Sequence, residues 1–264
     1  MTPELQAGAA DALWQSLFWA HISAVYRISR RADNLKRRMR QTRRLSLEDA
    51  TVAFAVANAP SVIPVNAIDW LKSKVIMTDA AVEEIGEKYR QVAFNIAGVE
   101  NERLIELARN KLIESLETGK SQAAVVADLR SAFDGWSSGQ LNTVYRTNVQ
   151  GAYNAAQWQR LQDGDVRDIF PAYQYVAIDD DRVRPAHLAM NEKVFAANDP
   201  IWAIWWPPNG YNCRCSVIAL DLPTMEEMNI EVESAWPQTD ETLGPVMPDT
   251  GFEHNPGQVW KPQG

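Results

Sequence analysis

The residues best suited to chemistry are concentrated between positions 179 and 215. Both cysteines of the sequence, Cys213 and Cys215, lie in this stretch, together with His187, which is one of only three histidines. On an extended strand, residues two apart face the same side, with Cα atoms about 6.6 Å apart. That separation is at the upper edge of disulfide geometry and would require Arg214 to bend away. A disulfide between the two cysteines is therefore disfavoured.

Two thiolates on one side and a nearby imidazole suit a soft, tetrahedral ion such as zinc. The sequence thus offers a candidate structural Zn²⁺ site at His187, Cys213 and Cys215. Its fourth ligand would be His254 or Asp181. The simpler interpretation is that both cysteines are small buried side chains and that the histidine bonds to the backbone. Redox or nucleophilic use of a thiol is a third alternative. Cys-x-Cys lacks the Cys-x-x-Cys spacing of most structural zinc sites, and this favours the simpler interpretation.

Composition indicates a globular protein. The chain has 264 residues, of which 46% are hydrophobic and 23% charged, enough for two ordinary domains. Two cysteines exclude a disulfide scaffold and fit a reducing compartment. The apolar stretch at residues 13–28 is interrupted by polar side chains and lacks a small-residue cleavage site. We therefore expect neither a secretory signal nor a membrane span, and synthesis in the cytoplasm.

The charge is unevenly distributed along the chain. The net charge is −8, yet residues 27–44 hold nine basic residues and one acid, so this basic arm carries +8 and the rest of the chain −16. The basic residues are Arg27, Arg30, Arg31, Lys36, Arg37, Arg38, Arg40, Arg43 and Arg44. Such a cluster can contact nucleic-acid phosphates or an acidic protein surface, or it can be a solvated helix face. All three interpretations stay open from the sequence.

The first two thirds of the chain have helical patterning. Apolar residues at helical spacing predict helices over residues 11–44, 67–116, 122–134 and 138–161. Pro60 and Pro64 should separate the first two helical stretches. Gly119 is expected to end one helix and Ser121 to cap the next.

The pattern changes after residue 170. Alternating side chains predict short strands at residues 173–178, 193–195 and 211–219, with a short helix after Pro185. Three tryptophans, Trp202, Trp205 and Trp206, favour a buried contact within this module or with a neighbouring subunit. The fold class is therefore mainly α with a small α+β module. We divide the chain into a helical N-terminal region (1–116), a short-stranded module (117–220) and an extended, Pro-rich acidic tail (221–264).

A series of short motifs resembles the phage Mu F-like minor head protein family, also described as phage head morphogenesis proteins. The resemblance covers about residues 118–220, and the order of its motifs is more specific than any one of them. In sequence order the motifs are Arg146-Thr147-Asn148, Asp180-Asp181-Arg182-Val183-Arg184-Pro185-Ala186-His187, Lys193-Val194-Phe195 and Pro207-Pro208-Asn209-Gly210-Tyr211-Asn212-Cys213-Arg214-Cys215. Asn148 departs from the glutamate of many relatives. Structural roles are expected for Asp180, Asp181, Arg182, Arg184, Pro185, Asn209 and Gly210.

The resemblance implies a minor capsid protein of a tailed bacteriophage. Such a protein is made in the host cytoplasm and built into the virion in low copy, beside the portal and the major capsid protein. It would assist head assembly or the handling of packaged double-stranded DNA, without enzymatic activity, and the basic arm would meet that DNA or an acidic portal surface. No membrane partner is expected.

Two other functions remain as alternatives. The first is a metal-assisted nuclease or hydrolase that uses His187, the neighbouring aspartates and the Cys-x-Cys pair. The aspartates, however, are expected to bond the arginines Arg182 and Arg184 or backbone amides in a tight turn. The second alternative is a DNA-binding adaptor outside any virion.

Overall fold

The computed structural model describes residues 65–85, 90–237, 239–240 and 244–259. The basic arm at residues 27–44 lies outside the described residues, so its helix and its contacts stay predictions. The domain boundaries proposed at residues 116 and 220 also stay predictions.

The first described elements are two short helices and two short strands. They are helix α1 (Val65–Ser73), strand β1 (Val75–Ile76), helix α2 (Asp79–Ile85) and strand β2 (Ala93–Phe94), and the two strands pair in parallel. The continuous helix expected over residues 67–116 is therefore wrong. Gly98, with a positive φ of 76°, turns the chain just before the next helix begins.

Three helices follow, and their ends are set by local capping. They are α3 (Glu102–Thr118), α4 (Gln122–Arg130) and α5 (Ser138–Gln162). Gly119 adopts the left-handed conformation and its N–H donates to the Ser115 carbonyl, while the Ser121 side chain accepts from a backbone N–H of α4. Ser137 and Gln140 form a capping box at the start of α5. These ends confirm the predicted caps, and α5 matches its predicted extent within a residue.

The module after α5 contains a three-stranded antiparallel sheet. The short helix α6 (Gly164–Arg167) leads into β3 (Ala172–Val176), α7 (Pro185–Ala189), β4 (Val194–Ala196) and β5 (Ser216–Leu220), in the sheet order β4-β3-β5. Tyr173 of β3 pairs with Phe195 of β4 and with Ala219 of β5. The mainly α fold with a small α+β module is thus confirmed. The third strand begins at Ser216, however, and not at residue 211 as predicted.

The long helix α5 covers the outer edge of β5. The side-chain amide of Gln150 donates to the Cys215 carbonyl, and that of Gln157 donates to the Val217 carbonyl, each at 2.8 Å. Exposed strand edges tend to pair with other chains, and side chains that occupy their carbonyls suppress this pairing. Helix α5 and the sheet are therefore joined as one unit.

The module core is built on aromatic side chains. Trp202, Trp205 and Trp206 are fully buried within the chain. The Trp206 indole donates to the Asn154 carbonyl of α5 at 2.8 Å, and its ring lies edge-on to Trp158. Replacing one such buried aromatic residue with alanine costs about 3–5 kcal/mol of stability.

The tail lies against the module along part of its length. Helix α8 (Leu222–Glu227) is followed by a short two-stranded pairing of β6 (Thr239–Asp240) with β7 (Gly244–Pro245). Residues 244–259 are then mostly irregular, and we call them the strap. The Asn255 amide donates to the Trp202 carbonyl, and the Trp70 indole donates to the Pro256 carbonyl, both at 2.9 Å. The strap therefore connects the module to α1. Among the described helices, none combines the length and apolar character needed to cross a membrane.

Candidate metal centre

The three predicted ligands come from a short helix and from a neighbouring turn. His187 lies on α7, whose first position is Pro185, a residue with φ already suited to a helix start. Cys213 and Cys215 lie in the irregular segment before β5. Asn212 has a positive φ of 55°, which interrupts the strand predicted there. His187, Cys213 and Cys215 are all at most 3% exposed.

The ligand atoms have the spacing of a tetrahedral metal site. His187 Nδ1 lies 3.5 Å from Cys215 Sγ and 3.8 Å from Cys213 Sγ, and the three ligand atoms all lie within 4.8 Å of one another. A tetrahedral zinc ion, with zinc–sulfur bonds of about 2.3 Å and zinc–nitrogen bonds of about 2.0 Å, separates its ligand atoms by about 3.5–3.8 Å. Both cysteines are free thiols. The cluster could therefore hold a metal ion with little rearrangement.

A hydrogen bond fixes the orientation of the imidazole. His187 Nε2 lies 3.2 Å from the Asn209 carbonyl oxygen. Only a protonated Nε2 can donate to a carbonyl, so Nδ1 is left with its lone pair toward the two sulfurs. Asn209 is itself held by the Tyr175 hydroxyl, which donates to its side-chain oxygen at 2.9 Å. Metal-binding histidines usually have such a second hydrogen bond.

The two thiols do not ionise independently. Burial opposes ionisation of Cys213, but a hydrogen bond from the Cys215 thiol holds its pKa well below the usual value. The pKa of Cys215 is raised well above the usual value, first by its hydrogen bond with Cys213 and then by burial. The pair therefore favours one negative charge over two. A divalent cation would make the second ionisation favourable as well.

The neighbouring Arg214 is already paired with a carboxylate. Its Nη1 donates to Asp180 Oδ2 at 2.7 Å, and its Nη2 donates to the other carboxylate oxygen. This guanidinium holds the pKa of Asp180 well below its ordinary value. Arg182 also contacts Asp180, through its backbone N–H and its side chain. The predicted tight turn of aspartate and arginine is thus present.

The structure does not place the two suggested fourth ligands in the cluster. Asp181 is exposed and His254 lines a different pocket, and in the part of the chain that is described the metal-ligand group contains His187, Cys213 and Cys215 alone. A space of about 10 Å³ adjoins the three ligands, with Arg182, Arg184 and Arg214 on its lining. That volume is close to the minimum for a single water molecule. A water could complete the coordination there.

The remaining predicted motif residues connect this centre to the strap. Arg184 forms an ion pair with Asp249 at 2.9 Å and donates to the Tyr211 carbonyl. A Cβ atom on Gly210 would lie 2.8 Å from the Asp249 carboxyl carbon, so a larger residue there would push the Asp249 side chain out of its present position. The Asn209 carbonyl accepts from the Asp249 N–H at 2.9 Å as well as from His187.

Sequence reasoning missed Tyr175 and Asp249 as supports of the site. Tyr175 was placed in a predicted strand without a role at the site, and Asp249 lies far along the chain in a segment with little patterning. The role of Arg214 was missed for a different reason. Its neighbours drew attention as ligands, while the arginine in the middle of Cys-x-Cys gave no sign of its carboxylate partner.

Comparison with known proteins gives the same assignment as the motifs. Residues 107–218, from within α3 into β5, match the family model described as "Phage Mu protein F like protein". This segment is a phage Mu F-like module. It contains all three ligands of the candidate metal centre, and the resemblance predicted from the sequence motifs is confirmed.

Curated relatives align over the same part of the chain. The "Putative capsid assembly protein F" of Escherichia phage Mu is 32% identical over 144 residues, which cover 46% of this chain and 32% of the phage protein. The "Mu-like prophage FluMu F protein" of Haemophilus influenzae is 36% identical over 117 residues, 43% of this chain and 28% of that protein. An uncharacterized protein of Methanocaldococcus jannaschii is 21% identical over 175 residues, 66% of this chain and 25% of that protein.

The chain spans about a third of the length of the first two relatives, so the Mu F-like module is the part that the comparison describes. No solved structure matches this chain.

Proposed function

We propose that this chain is a head morphogenesis protein of a tailed bacteriophage. The observation that carries the proposal is the Mu F-like module at residues 107–218, together with a relative named as a putative capsid assembly protein. A module with a tightly packed aromatic core and a covered sheet edge suits a scaffold that must keep its shape during assembly. The protein would be incorporated into the virion in low copy near the portal, and it would contact the portal and the major capsid protein.

We further propose that the centre at His187, Cys213 and Cys215 holds a structural Zn²⁺ ion. The donor set, the 3.5 and 3.8 Å spacing and the bond between His187 and Asn209 support this assignment. The ion would join α7 to the turn before β5, in addition to the hydrogen bonds of His187 with Asn209 and of Arg184 with Tyr211. Because the unfolded chain lacks a preformed site, the binding free energy would add to the stability of the fold.

The size of the neighbouring space favours a structural role over a hydrolytic one. About 10 Å³ admits one water molecule and leaves no volume for a substrate phosphate or peptide beside it. Asp180, the carboxylate that a hydrolase would use as a base, is engaged by Arg214 and has a lowered pKa, which makes it a weak base. Incubation of the protein with plasmid DNA and Mg²⁺ or Mn²⁺ should therefore leave the plasmid intact.

Metal analysis tests the zinc proposal directly. Purified protein should contain about one zinc per chain, and Cys215→Ser and His187→Gln should each lose it and unfold at a lower temperature. Asn212→Ser changes the residue next to Cys213 but removes no ligand, so this variant should retain the metal. Purified wild-type protein that contains no zinc, or whose melting temperature is the same with and without zinc, would overturn the proposal.

The assembly proposal is tested in infected cells. A phage with this gene deleted should produce fewer DNA-filled heads, and the tagged protein should co-purify with heads and with the portal. The basic arm at residues 27–44 would contact DNA or the portal, so glutamine at Arg37, Arg38 and Arg40 should weaken one of these associations, with a salt dependence that phosphate contacts predict. Normal heads without the protein, or heads that never contain it, would contradict the proposal.

A further inference from the structure

A second site, with a lining distinct from that of the candidate metal centre, lies beside helix α5. A cavity of about 410 Å³ opens where α1, residues 90–97, α5 and the strap meet. Its volume falls in the range of ligand-binding sites. Thr147, Asn148 and Gly151 of α5 form one wall, and Tyr211 and Phe252 stand at another with their rings 5.0 Å apart. The Arg146-Thr147-Asn148 motif therefore contributes to this pocket and not to the metal centre.

The pocket differs in charge from the rest of the protein. None of its described lining residues is acidic, whereas Lys74, Arg90 and His254 all line it. Outside the basic arm the chain carries a large negative charge, as its sequence shows. A lining with basic residues and without carboxylates on such a protein indicates a ligand that supplies a negative charge of its own.

Lys74 is the most unusual residue of this lining. Its side chain is buried, its ammonium lies 4.0 Å from the centre of the Trp70 ring, and it donates to the Gln91 carbonyl. No carboxylate pairs with it among the described residues. Burial lowers the pKa of Lys74 to about 7. A buried, unpaired lysine costs stability, and such groups occur preferentially where they meet a ligand.

The other walls suit a peptide. Amide and hydroxyl side chains, on Asn95, Gln140, Thr143 and Thr147, make its lining polar while they bond within the chain, and the aromatic rings can pack against apolar side chains. A nucleic acid would bring many phosphates toward a protein surface that is acidic outside the basic arm, and their repulsion would oppose binding. A single carboxylate brings one charge, directly to the pocket.

We propose that this pocket binds a glutamate or aspartate side chain in an extended segment of another protein, with Lys74 and Arg90 recognising the carboxylate. That the partner belongs to the phage head rests on the proposed function, but recognition of the carboxylate does not. The two can therefore fail separately, because peptide binding is measured on the purified protein and head assembly in the infected cell.

The probe is an array of capped pentapeptides with neutral residues around a central glutamate, matched by peptides with a central glutamine. The best glutamate peptide and its glutamine counterpart are then titrated into the full chain by calorimetry. We expect the glutamine peptide to bind at least about tenfold more weakly, since a charge-assisted hydrogen bond to a buried lysine is lost. Absence of binding peptides, or equal affinity for the two forms, would overturn the proposal.

Three variants assign the discrimination to the pocket. Lys74→Met should remove the preference for glutamate, and it should fold because it replaces a buried charge with an apolar chain of similar length. Asn148→Glu should also abolish binding, because it places a carboxylate of the protein itself in the pocket. Lys72→Met is the matched control, since Lys72 lies on α1 but pairs with Glu117 in solvent. An unchanged preference in Lys74→Met, or oligonucleotide binding that depends on Lys74, would refute the carboxylate assignment.

Discussion

Replacing Lys74 with methionine should change how the stability of this protein depends on pH. Burial lowers the pKa of Lys74 from 10.5 to about 7 in the folded protein, while the unfolded chain keeps the ordinary value. Between pH 7 and about 10.5 the unfolded state therefore binds a proton that the folded state has released. The free energy of unfolding of the wild-type protein should rise with pH through this window. Methionine cannot titrate, so this contribution should be absent in the variant.

The size of the effect follows from the two pKa values. A single group that titrates at about 7 when folded and 10.5 when unfolded adds about 2 kcal/mol between pH 7 and pH 9. The contacts of the ammonium with the Trp70 ring and the Gln91 carbonyl favour the protonated form, which brings the expected rise to about 1–2 kcal/mol. Below pH 7 both states hold the proton and the cost of the buried charge is fully present. There Lys74→Met should be the more stable protein, by about 2 kcal/mol.

Urea unfolding at pH 6, 7, 8 and 9 measures this difference. Tyrosines and cysteines also titrate toward alkaline pH, so the useful quantity is the wild-type free energy of unfolding minus that of Lys74→Met at each pH. Lys72→Met, at an exposed position of α1 close to Lys74, should follow the wild-type curve. Parallel curves for wild type and Lys74→Met would show that the buried lysine keeps its ordinary pKa, and the reasoning about the pocket charge would be wrong.

Two further changes test the supports of the metal centre. Gly210→Ala should destabilise the protein by about 1–3 kcal/mol, because the new Cβ displaces Asp249 from its ion pair; Gly139→Ala in a helix should be neutral or stabilising. If Gly210→Ala were no more destabilising than Gly139→Ala, the steric explanation for Gly210 would be wrong. Asp180→Asn should cost about 1 kcal/mol at pH 7, a value reduced by the partial exposure of the pair. Because Arg214 lowers the pKa of Asp180, that cost should be present above about pH 4 and fade as the pH falls further. Denaturation of wild type and Asp180→Asn at pH 3 and pH 7 measures this cost. A difference in free energy of unfolding that is the same at both pH values would contradict the pairing.

Local signals predicted the helices well, and their failures have local causes. Helix α5 was predicted from its apolar spacing and its start signal, and the caps at Gly119 and Ser121 were predicted from residue type. The third strand was predicted too long because Asn212 adopts a positive φ. An alternating pattern of side chains does not indicate the backbone conformation of a single residue. The three candidate ligands nonetheless lie together, since the turn brings the two thiols to one side as a strand would have.

Long-range contacts account for what the sequence could not predict. Residue type does not mark Lys74 as buried, because its ammonium lies against Trp70 and the Gln91 carbonyl in a pocket whose other walls come from α5 and the strap, far away in the sequence. The same is true of the ion pair between Arg184 and Asp249. The contacts of the tail with Trp70 and Trp202 depend on backbone carbonyls, which have no signature in residue type.

The way the strap is held has a consequence for engineered forms of this protein. The strap's contacts with Trp70, Trp202 and Arg184 are all made by residues within 244–259. Residues 244–259 thus bind the rest of the protein as a covalently linked peptide would. A chain ending before residue 244 should recapture the same sixteen residues when they are added as a synthetic fragment, much as split proteins reassemble from their pieces.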